Sequence, residues 1–221
     1  MLLQWVFFII GAYLLGSIPF GKLIAMKVAR IDITQQGSGN IGATNVARTL
    51  GVKWGLLTLL LDMLKGFIPV AVFSCFVSQA DVVSKFCLPS VGLSVLLGHQ
   101  FPFFQLFRGG KGVATALGIF LGISSLTRIS CIVAFLLFIL TVYKWNVVSL
   151  GSMVAATAMP LLLLLFGEAW PVIAGTLIAA GLILFKHMEN IQRLLKGEER
   201  KWRNQKNQGS SSSSLSNSSS E

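Results

Sequence analysis

Long apolar stretches dominate the chain. They lie at residues 2–26, 54–77, 86–107, 113–125, 129–143, 147–166 and 169–185. At about 1.5 Å per residue, most of these stretches are long enough as helices to cross the ~30 Å hydrocarbon core of a bilayer. The pattern therefore predicts an all-α, polytopic integral membrane protein with seven transmembrane helices. The fourth stretch is too short to span without extra turns, so a tilted or partly embedded helix is the alternative there.

Composition supports a membrane environment. Hydrophobic residues make up 54% of the chain and charged residues 12%, and the mean hydropathy is +0.75. Soluble domains are about 45–50% apolar and about 25% charged. The first stretch lacks the basic start of a cleaved signal peptide, which favours a retained first helix. We predict a membrane domain over residues 1–203 and a flexible Ser-rich tail over 204–221.

Basic residues predict the orientation. With the N-terminus outside and the C-terminus in the cytoplasm, the outer segments hold only Lys85 and Arg128 of the 18 Lys and Arg residues. Lys65 lies inside the second apolar stretch, and every other basic residue falls on the inner side, as the positive-inside rule requires. Attraction to an anionic cytoplasmic leaflet explains most of the net charge of +10, so no nucleic-acid partner is needed.

Three polar segments interrupt this apolar chain on the predicted cytoplasmic side. They read GSGNIGATNVAR at 37–48, GHQFPFFQLFRGGKGVAT at 98–115 and KHMENIQRLLKGEER at 186–200. Each segment begins or ends at a predicted helix boundary. We therefore expect the three segments to converge into one pocket at the membrane surface.

The first segment has the side chains of an anion-binding site. Ser38 and Thr44 supply hydroxyls, Asn40 and Asn45 supply amides, and Arg48 supplies a planar fork of donors. The glycines among them, including Gly39, permit backbone conformations that other residues rarely adopt.

The second segment surrounds one lysine with glycines. Gly109, Gly110 and Gly112 flank Lys111, so backbone N–H groups at the start of the fourth helix could face a phosphate together with the ammonium group. The spacing is not that of a Walker loop, because Gln105 stands where that loop needs a glycine and Gly112 where it needs a hydroxyl. Nucleotide hydrolysis is therefore disfavoured.

Each of these features also has a purely structural interpretation. Glycines at membrane helix ends serve turns and close packing, and basic residues there anchor the helix. His99 fits an interhelical contact as well as a binding site, whereas His187, three residues before Asn190, is the better pocket candidate. Asp62 and Lys65 are spaced i, i+3 within the second apolar stretch, which favours a structural ion pair over a proton relay.

As an ordered set, the three segments resemble the acyl-phosphate-dependent glycerol-3-phosphate acyltransferases of bacterial phospholipid synthesis, the PlsY family. The motifs are SGNIGATNVAR at 38–48, GHQFPFFQLFRGGKGVAT at 98–115 and HMENIQRLLKGEE at 187–199, and the resemblance extends to about residue 203. It implies transfer of a fatty acyl group from acyl-phosphate to the 1-hydroxyl of sn-glycerol 3-phosphate, yielding lysophosphatidic acid and phosphate. It also implies a multi-pass protein of the bacterial inner (plasma) membrane with a cytoplasmic active site.

The resemblance also implies roles for individual residues. It assigns the catalytic roles to Ser38, Arg48, Lys111, His187 and Asn190. The implied substrate-binding residues are Gly39, Asn40, Thr44, Asn45, His99, Gly109, Gly110, Gly112 and Ser149. The assignment of Ser149 rests on VVSLGSM, in which valine stands where the family usually has a tyrosine-like residue shortly before the serine.

The resemblance implies neither a metal nor a cofactor, and it suggests the enzyme that produces acyl-phosphate as a partner. The HxxxxD motif of soluble-domain acyltransferases is absent, since Phe104 and Gln192 follow the two histidines at that spacing. Because acyl-phosphate is already activated, we expect direct transfer, with either a substrate phosphate oxygen or His187 as the base. The alternative function is a membrane transporter of a small organic phosphate, although polarity is concentrated on one face.

Overall fold

The computed structural model describes residues 2–76 and 82–203, and within these ranges the chain folds into ten α-helices. The predicted tail over 204–221 lies outside the described residues. The helices are α1 (Leu2–Gly16), α2 (Phe20–Ala29), α3 (Ala43–Leu50), α4 (Val52–Phe76), α5 (Val82–Gln100), α6 (Val113–Ile123), α7 (Ser125–Trp145), α8 (Val148–Leu165), α9 (Trp170–Phe185) and α10 (Met188–Leu195).

The predicted all-α, multi-pass membrane fold is confirmed. Among the described residues, five segments are long and apolar enough to cross a bilayer: Trp5–Ala29, Val52–Phe76, Phe86–Gln105, Ser125–Trp145 and Val148–Leu165. The number rises to six if α9 and α10, which are bent by 57° relative to each other, are counted as one span. At 11 residues, or about 17 Å, α6 is too short to cross the core as a straight helix. Seven spans and an outer N-terminus stay predictions.

The first predicted helix, at 2–26, is in fact two helices. It breaks between Gly16 and Phe20, where Pro19 has no backbone N–H to donate. At the break, the carbonyl of Ile18 accepts the Phe20 N–H at 3.2 Å and also a hydrogen bond from Lys65 Nζ of α4 at 2.8 Å. The prediction of one continuous helix was therefore wrong at this proline.

Two other predicted boundaries also differ. Helix α5 ends at Gln100 rather than at 107, and Pro102 follows two residues later. Helix α7 begins at Ser125 rather than at 129, because Ser124 and Thr127 form a capping box that starts the helix early. The fifth span is therefore 21 residues long and meets the length required to cross the membrane.

Two short helices lie inside segments that the sequence predicts only as polar connections. Helix α3 begins halfway through the first polar segment, and α10 lies within the third. Each turns one polar side chain into the protein, Asn45 from α3 and Asn190 from α10. Both helices thus position candidate site residues.

Close glycine contacts hold the central helices together. A Cβ on Gly118 of α6 would collide with the carbonyl of Met63, and one on Gly66 of α4 would collide with the carbonyl of Thr115. Small residues allow membrane helices to approach and gain van der Waals contact. This packing places the start of α6, which follows Lys111, directly against α4.

Candidate active site

One cavity of about 320 Å³ lies where the three polar segments meet. Eleven of the fourteen predicted site residues line it: Ser38, Asn40, Thr44, Asn45, Arg48, His99, Lys111, Gly112, Ser149, His187 and Asn190. The expected convergence of the three segments is therefore confirmed. The cavity continues among apolar side chains of α4, α6, α7 and α8, including Leu59, Phe120, Ala134, Phe138 and Met159.

Asn45 organises the first segment. Its Oδ1 accepts the Ser38 N–H at 2.9 Å, and its Nδ2 lies 2.9 Å from the Asn40 carbonyl and 3.0 Å from the Gln36 carbonyl. Gly37, at φ 58°, passes so close that a Cβ there would collide with Asn45 Oδ1. Because the Asn45 amide is occupied by this loop, its role here is to shape the loop.

Arg48 of α3 stands at the mouth of the cavity. Its Nη2 donates to the carbonyl of Arg200 at 3.3 Å, and its guanidinium lies 5.9 Å from the centre of the Trp202 ring. Its Nε is buried without a hydrogen-bond partner among the described residues. Burial lowers the pKa of Arg48 from its usual value, and the charge of Arg200 adds to this effect. An anion in the cavity would satisfy the unpaired donor.

Lys111 extends from the second segment to the third. Its Nζ donates to Asn190 Oδ1, which joins residues far apart in the chain. Burial lowers the pKa of Lys111 to about 8, although the negative charge of Glu199 opposes this effect. Lys111 is therefore mostly protonated at neutral pH and is poorly solvated, which favours its pairing with an anion.

Glu199 links several cavity side chains, and it is not among the residues predicted for the site. Its Oε1 accepts hydrogen bonds from Ser149 Oγ at 2.7 Å and Asn190 Nδ2 at 2.6 Å, and its Oε2 accepts one from Arg193 Nε at 2.9 Å. Burial raises the pKa of Glu199, but these hydrogen bonds outweigh that effect and hold it below the usual value. The carboxylate is therefore ionised and serves as an acceptor.

No sequence pattern singles out Glu199 or Arg193. Both lie inside the third motif, but their spacing matches no known pair of catalytic groups. The Glu199 side chain is only 7% exposed, so this motif contributes a buried carboxylate that the sequence does not reveal. The signal available is a charged residue two positions after Gly197, which is too common to be diagnostic.

His187 lies between α9 and α10 and is buried. Its Nδ1 lies 2.8 Å from the Ile183 carbonyl, which can only accept a hydrogen bond. Nδ1 must therefore carry the proton, and Nε2 keeps a free lone pair. Burial, and secondarily the charge of Lys111, lowers the pKa of His187 to about 4. The imidazole is therefore neutral at physiological pH.

Three predicted glycines do not line the cavity. A Cβ on Gly110 would collide with the His99 ring, one on Gly109 would collide with the His99 carbonyl, and one on Gly39 would come within 3.1 Å of the Thr34 carbonyl. These glycines permit close packing of the loops. Gly112, by contrast, lines the cavity with φ 83° directly before α6.

The predicted ion pair between Asp62 and Lys65 is confirmed, with Lys65 Nζ 2.8 Å from Asp62 Oδ1 and both side chains buried. His99 Nδ1 lies 3.7 Å from the same carboxylate oxygen, and His99 and Asp62 both line the cavity. Within residues 2–76 and 82–203, no three His, Cys, Asp or Glu side chains are grouped so that they could hold a metal ion.

Comparison with known proteins identifies one family. The family described as "Glycerol-3-phosphate acyltransferase" matches residues 6–197. The glycerol-3-phosphate acyltransferase of Geotalea daltonii is 49% identical over 86% of this chain and 94% of its own length. That of Trichlorobacter lovleyi is 45% identical over 89% of this chain and 97% of its own length.

Solved structures agree with these sequence matches. Crystal structures of PlsY, an integral membrane glycerol 3-phosphate acyltransferase, are similar in fold at 40% identity. The glycerol 3-phosphate form has a TM-score of 0.83 and covers 90% of this chain and 96% of that chain. The lysophosphatidic acid form has a TM-score of 0.81 and covers 90% and 95%.

Proposed function

This chain belongs to the glycerol-3-phosphate acyltransferase family, and we propose that it transfers a fatty acyl group from acyl-phosphate to the 1-hydroxyl of sn-glycerol 3-phosphate. The products are 1-acyl-sn-glycerol 3-phosphate, which is lysophosphatidic acid, and inorganic phosphate. The observation that carries the proposal is a single cavity with a cationic mouth and an apolar interior.

The cationic mouth suits two phosphate groups. Arg48, Lys111, Arg193 and Arg200 all line the cavity, and Glu199 is the acidic residue closest to them in the hydrogen-bond network. Arginine and lysine bind phosphate through charge-assisted hydrogen bonds. The glycerol 3-phosphate and the acyl-phosphate would each place an anionic group here.

The apolar interior suits a fatty acyl chain. From Ser149 at the mouth to Met159, α8 advances ten residues, or about 15 Å, along the cavity. Each buried methylene contributes about 0.8 kcal/mol. The acyl carbonyl would then lie where the apolar and cationic parts meet.

The proposed catalytic residues are Ser38, Arg48, Lys111, His187 and Asn190. Arg48 and Lys111 would stabilise negative charge on the reacting phosphates, and Asn190 would orient the Lys111 ammonium. Ser38, an exposed residue, would contribute its hydroxyl as a hydrogen-bonding group. Asn40, Thr44, Ser149 and the predicted glycines would shape or line the binding site.

The reaction requires no covalent acyl-enzyme intermediate. Acyl-phosphate is a mixed anhydride, so the glycerol hydroxyl can attack the acyl carbon directly while phosphate leaves with the bonding electron pair. A phosphate monoester has a second pKa near 6, whereas the pKa of His187 is about 4. His187 is therefore a weak base, which favours a substrate phosphate oxygen as the acceptor of the hydroxyl proton.

The proposed site opens to the cytoplasm at the bacterial plasma membrane. The inner side holds nearly all basic residues under the predicted orientation. A water-soluble substrate would enter from that side, and an enzyme that produces acyl-phosphate could deliver the other substrate there.

The first test uses purified protein in detergent with palmitoyl-phosphate and glycerol 3-phosphate. We expect lysophosphatidic acid and phosphate to form in equal amounts, and Lys111→Ala to reduce both to a residual rate that is measurable only at high enzyme concentration. Lys196→Ala, which changes an exposed lysine, serves as the matched control. Folded protein that forms neither product, but moves labelled glycerol 3-phosphate across proteoliposomes, would instead be a transporter.

Two further variants address the mechanism. Incubation with acyl-phosphate alone should leave the mass of the protein unchanged, and an acylated Ser38 would overturn direct transfer. His187→Ala should retain measurable turnover. Loss of turnover in that variant with intact glycerol 3-phosphate binding would favour His187 as the base.

A further inference from the structure

The last turn of α5 holds the loop that carries Lys111. The loop leaves α5 at residue 101 and doubles back, so that the Gly110 N–H donates to the His99 carbonyl at 3.1 Å. The next residue of the helix and the next residue of the loop also form a contact, because Gln100 Nε2 donates to the Lys111 carbonyl at 2.9 Å. Two consecutive helix residues therefore bind two consecutive loop residues.

Gln100 is fully buried, with 0% of its surface exposed. A buried amide costs free energy unless it is hydrogen-bonded. The donor bond to the Lys111 carbonyl offsets part of this cost, whereas Gln100 Oε1 has no hydrogen-bond partner among the described residues. Gly112, in a left-handed conformation, lies directly against Leu96 and Gln100, and a Cβ there would come within 3.1 Å of Gln100 Nε2. The backbone on both sides of the Lys111 side chain thus rests on α5.

We propose that Gln100 is a positioning residue, which holds the Lys111 backbone so that the ammonium group reaches Asn190 and the phosphate-binding mouth. Gln100 does not line the cavity, and its effect on the reaction passes through Lys111. This inference rests on the proposed function for its kinetic consequence, but the contact itself can be tested without any reaction.

The kinetic test is a double-mutant cycle. Gln100→Met keeps the length of the side chain and removes its hydrogen-bonding groups. We expect kcat/KM to fall on the order of tenfold to 100-fold, the effect of misplacing a reacting group by about 1 Å. Gln105→Met, in the same loop, is the matched control, because Gln105 Nε2 has no partner among the described residues. It should retain nearly full activity.

Adding Gln100→Met to Lys111→Ala should cause little further loss of kcat/KM, because Gln100 acts through the missing lysine. Residual activity of Lys111→Ala is measured at high enzyme concentration so that the comparison is possible. If the two losses instead multiply, Gln100 acts independently of Lys111 and the proposal is overturned.

The second measurement needs no activity. A water-soluble amine-reactive ester is applied to the protein, and the labelling rates of Lys111 and of exposed Lys196 are followed by mass spectrometry. Gln100→Met should raise the Lys111 rate several-fold and leave the Lys196 rate unchanged. An unchanged Lys111 rate overturns the proposal. If Gln100→Met does not fold, Gln100→Asn, whose shorter amide cannot reach the Lys111 carbonyl, takes its place.

The two tests separate the possible failures. Wild-type protein that transfers no acyl group contradicts the proposed function, while the labelling result still decides whether Gln100 holds Lys111.

Discussion

The alkaline limit of activity should be set by the Lys111 ammonium group. Burial lowers its pKa from 10.5 to about 8, a cost of roughly 3 kcal/mol at about 1.4 kcal/mol per pKa unit. If the reaction needs the protonated form, kcat/KM is preserved below pH 8 and is lost as pH rises through that value. One unit above its pKa, about one-tenth of a group remains protonated, so kcat/KM should fall to about one-tenth near pH 9.

The assay measures initial rates of lysophosphatidic acid formation at low substrate concentration, from about pH 6 to about pH 10, because kcat/KM reports the pKa values of the free enzyme. Blanks without enzyme correct for hydrolysis of acyl-phosphate. Ionisation of glycerol 3-phosphate does not contribute to the decline of kcat/KM above pH 8, since its second pKa lies near 6.

Lys111→Arg provides the decisive comparison. A guanidinium stays protonated throughout this range, so the variant should be slower but should lose the decline near pH 8. A decline that persists at the same pH in Lys111→Arg would show that another group sets the limit, and the assignment to Lys111 would be refuted.

Three other substitutions test the surrounding structure. Glu199→Gln removes a negative charge that raises the pKa of Lys111, so the alkaline limb of kcat/KM should move to lower pH. Asp62→Asn leaves the buried Lys65 cation without its charged partner, so the free energy of unfolding should fall by about 3–5 kcal/mol, measured as a lower thermal midpoint in detergent. Gly118→Ala forces α6 away from α4, so its thermal midpoint should also fall.

Each of these variants has a control or a contrary outcome. An alkaline limb that does not move in Glu199→Gln would mean that this carboxylate does not act on Lys111. Adding Lys65→Met to Asp62→Asn should recover part of the lost stability, because no unpaired charge then remains. Gly181→Ala is the matched control for Gly118→Ala, since nothing lies within 4 Å of the added Cβ.

The membrane class and the convergence of the three polar segments follow from the amino-acid sequence alone. Hydropathy is a property of each residue and its neighbours, so long apolar stretches identify membrane helices directly. Under the predicted count of seven spans, the three polar segments fall on one side of the membrane, so we expected them to lie close together, and the cavity that they share confirms the convergence. Both conclusions hold despite the errors in individual helix boundaries.

The contacts within the site could not be predicted in this way. Lys111 and Asn190 are 79 positions apart, and Ser149 and Glu199 are 50 apart. Their pairing depends on how α6, α8 and α10 pack, which no local pattern encodes. The same packing buries Lys111 and His187, and that burial, rather than residue type, shifts their pKa values.

The helix boundaries and the role of Gln100 show the same difference between local signals and tertiary contacts. The capping box at Ser124 and the proline at 19 are local signals, and each sets a helix boundary within its own stretch of the chain. Gln100 is an ordinary polar residue at the end of an apolar stretch, and only the return of the loop onto α5 brings it to the Lys111 carbonyl. The sequence thus specifies which chemical groups are present, whereas tertiary packing decides which of them meet. The reason is that desolvation and hydrogen bonding join residues that are far apart in the chain, and sequence patterns do not span such distances.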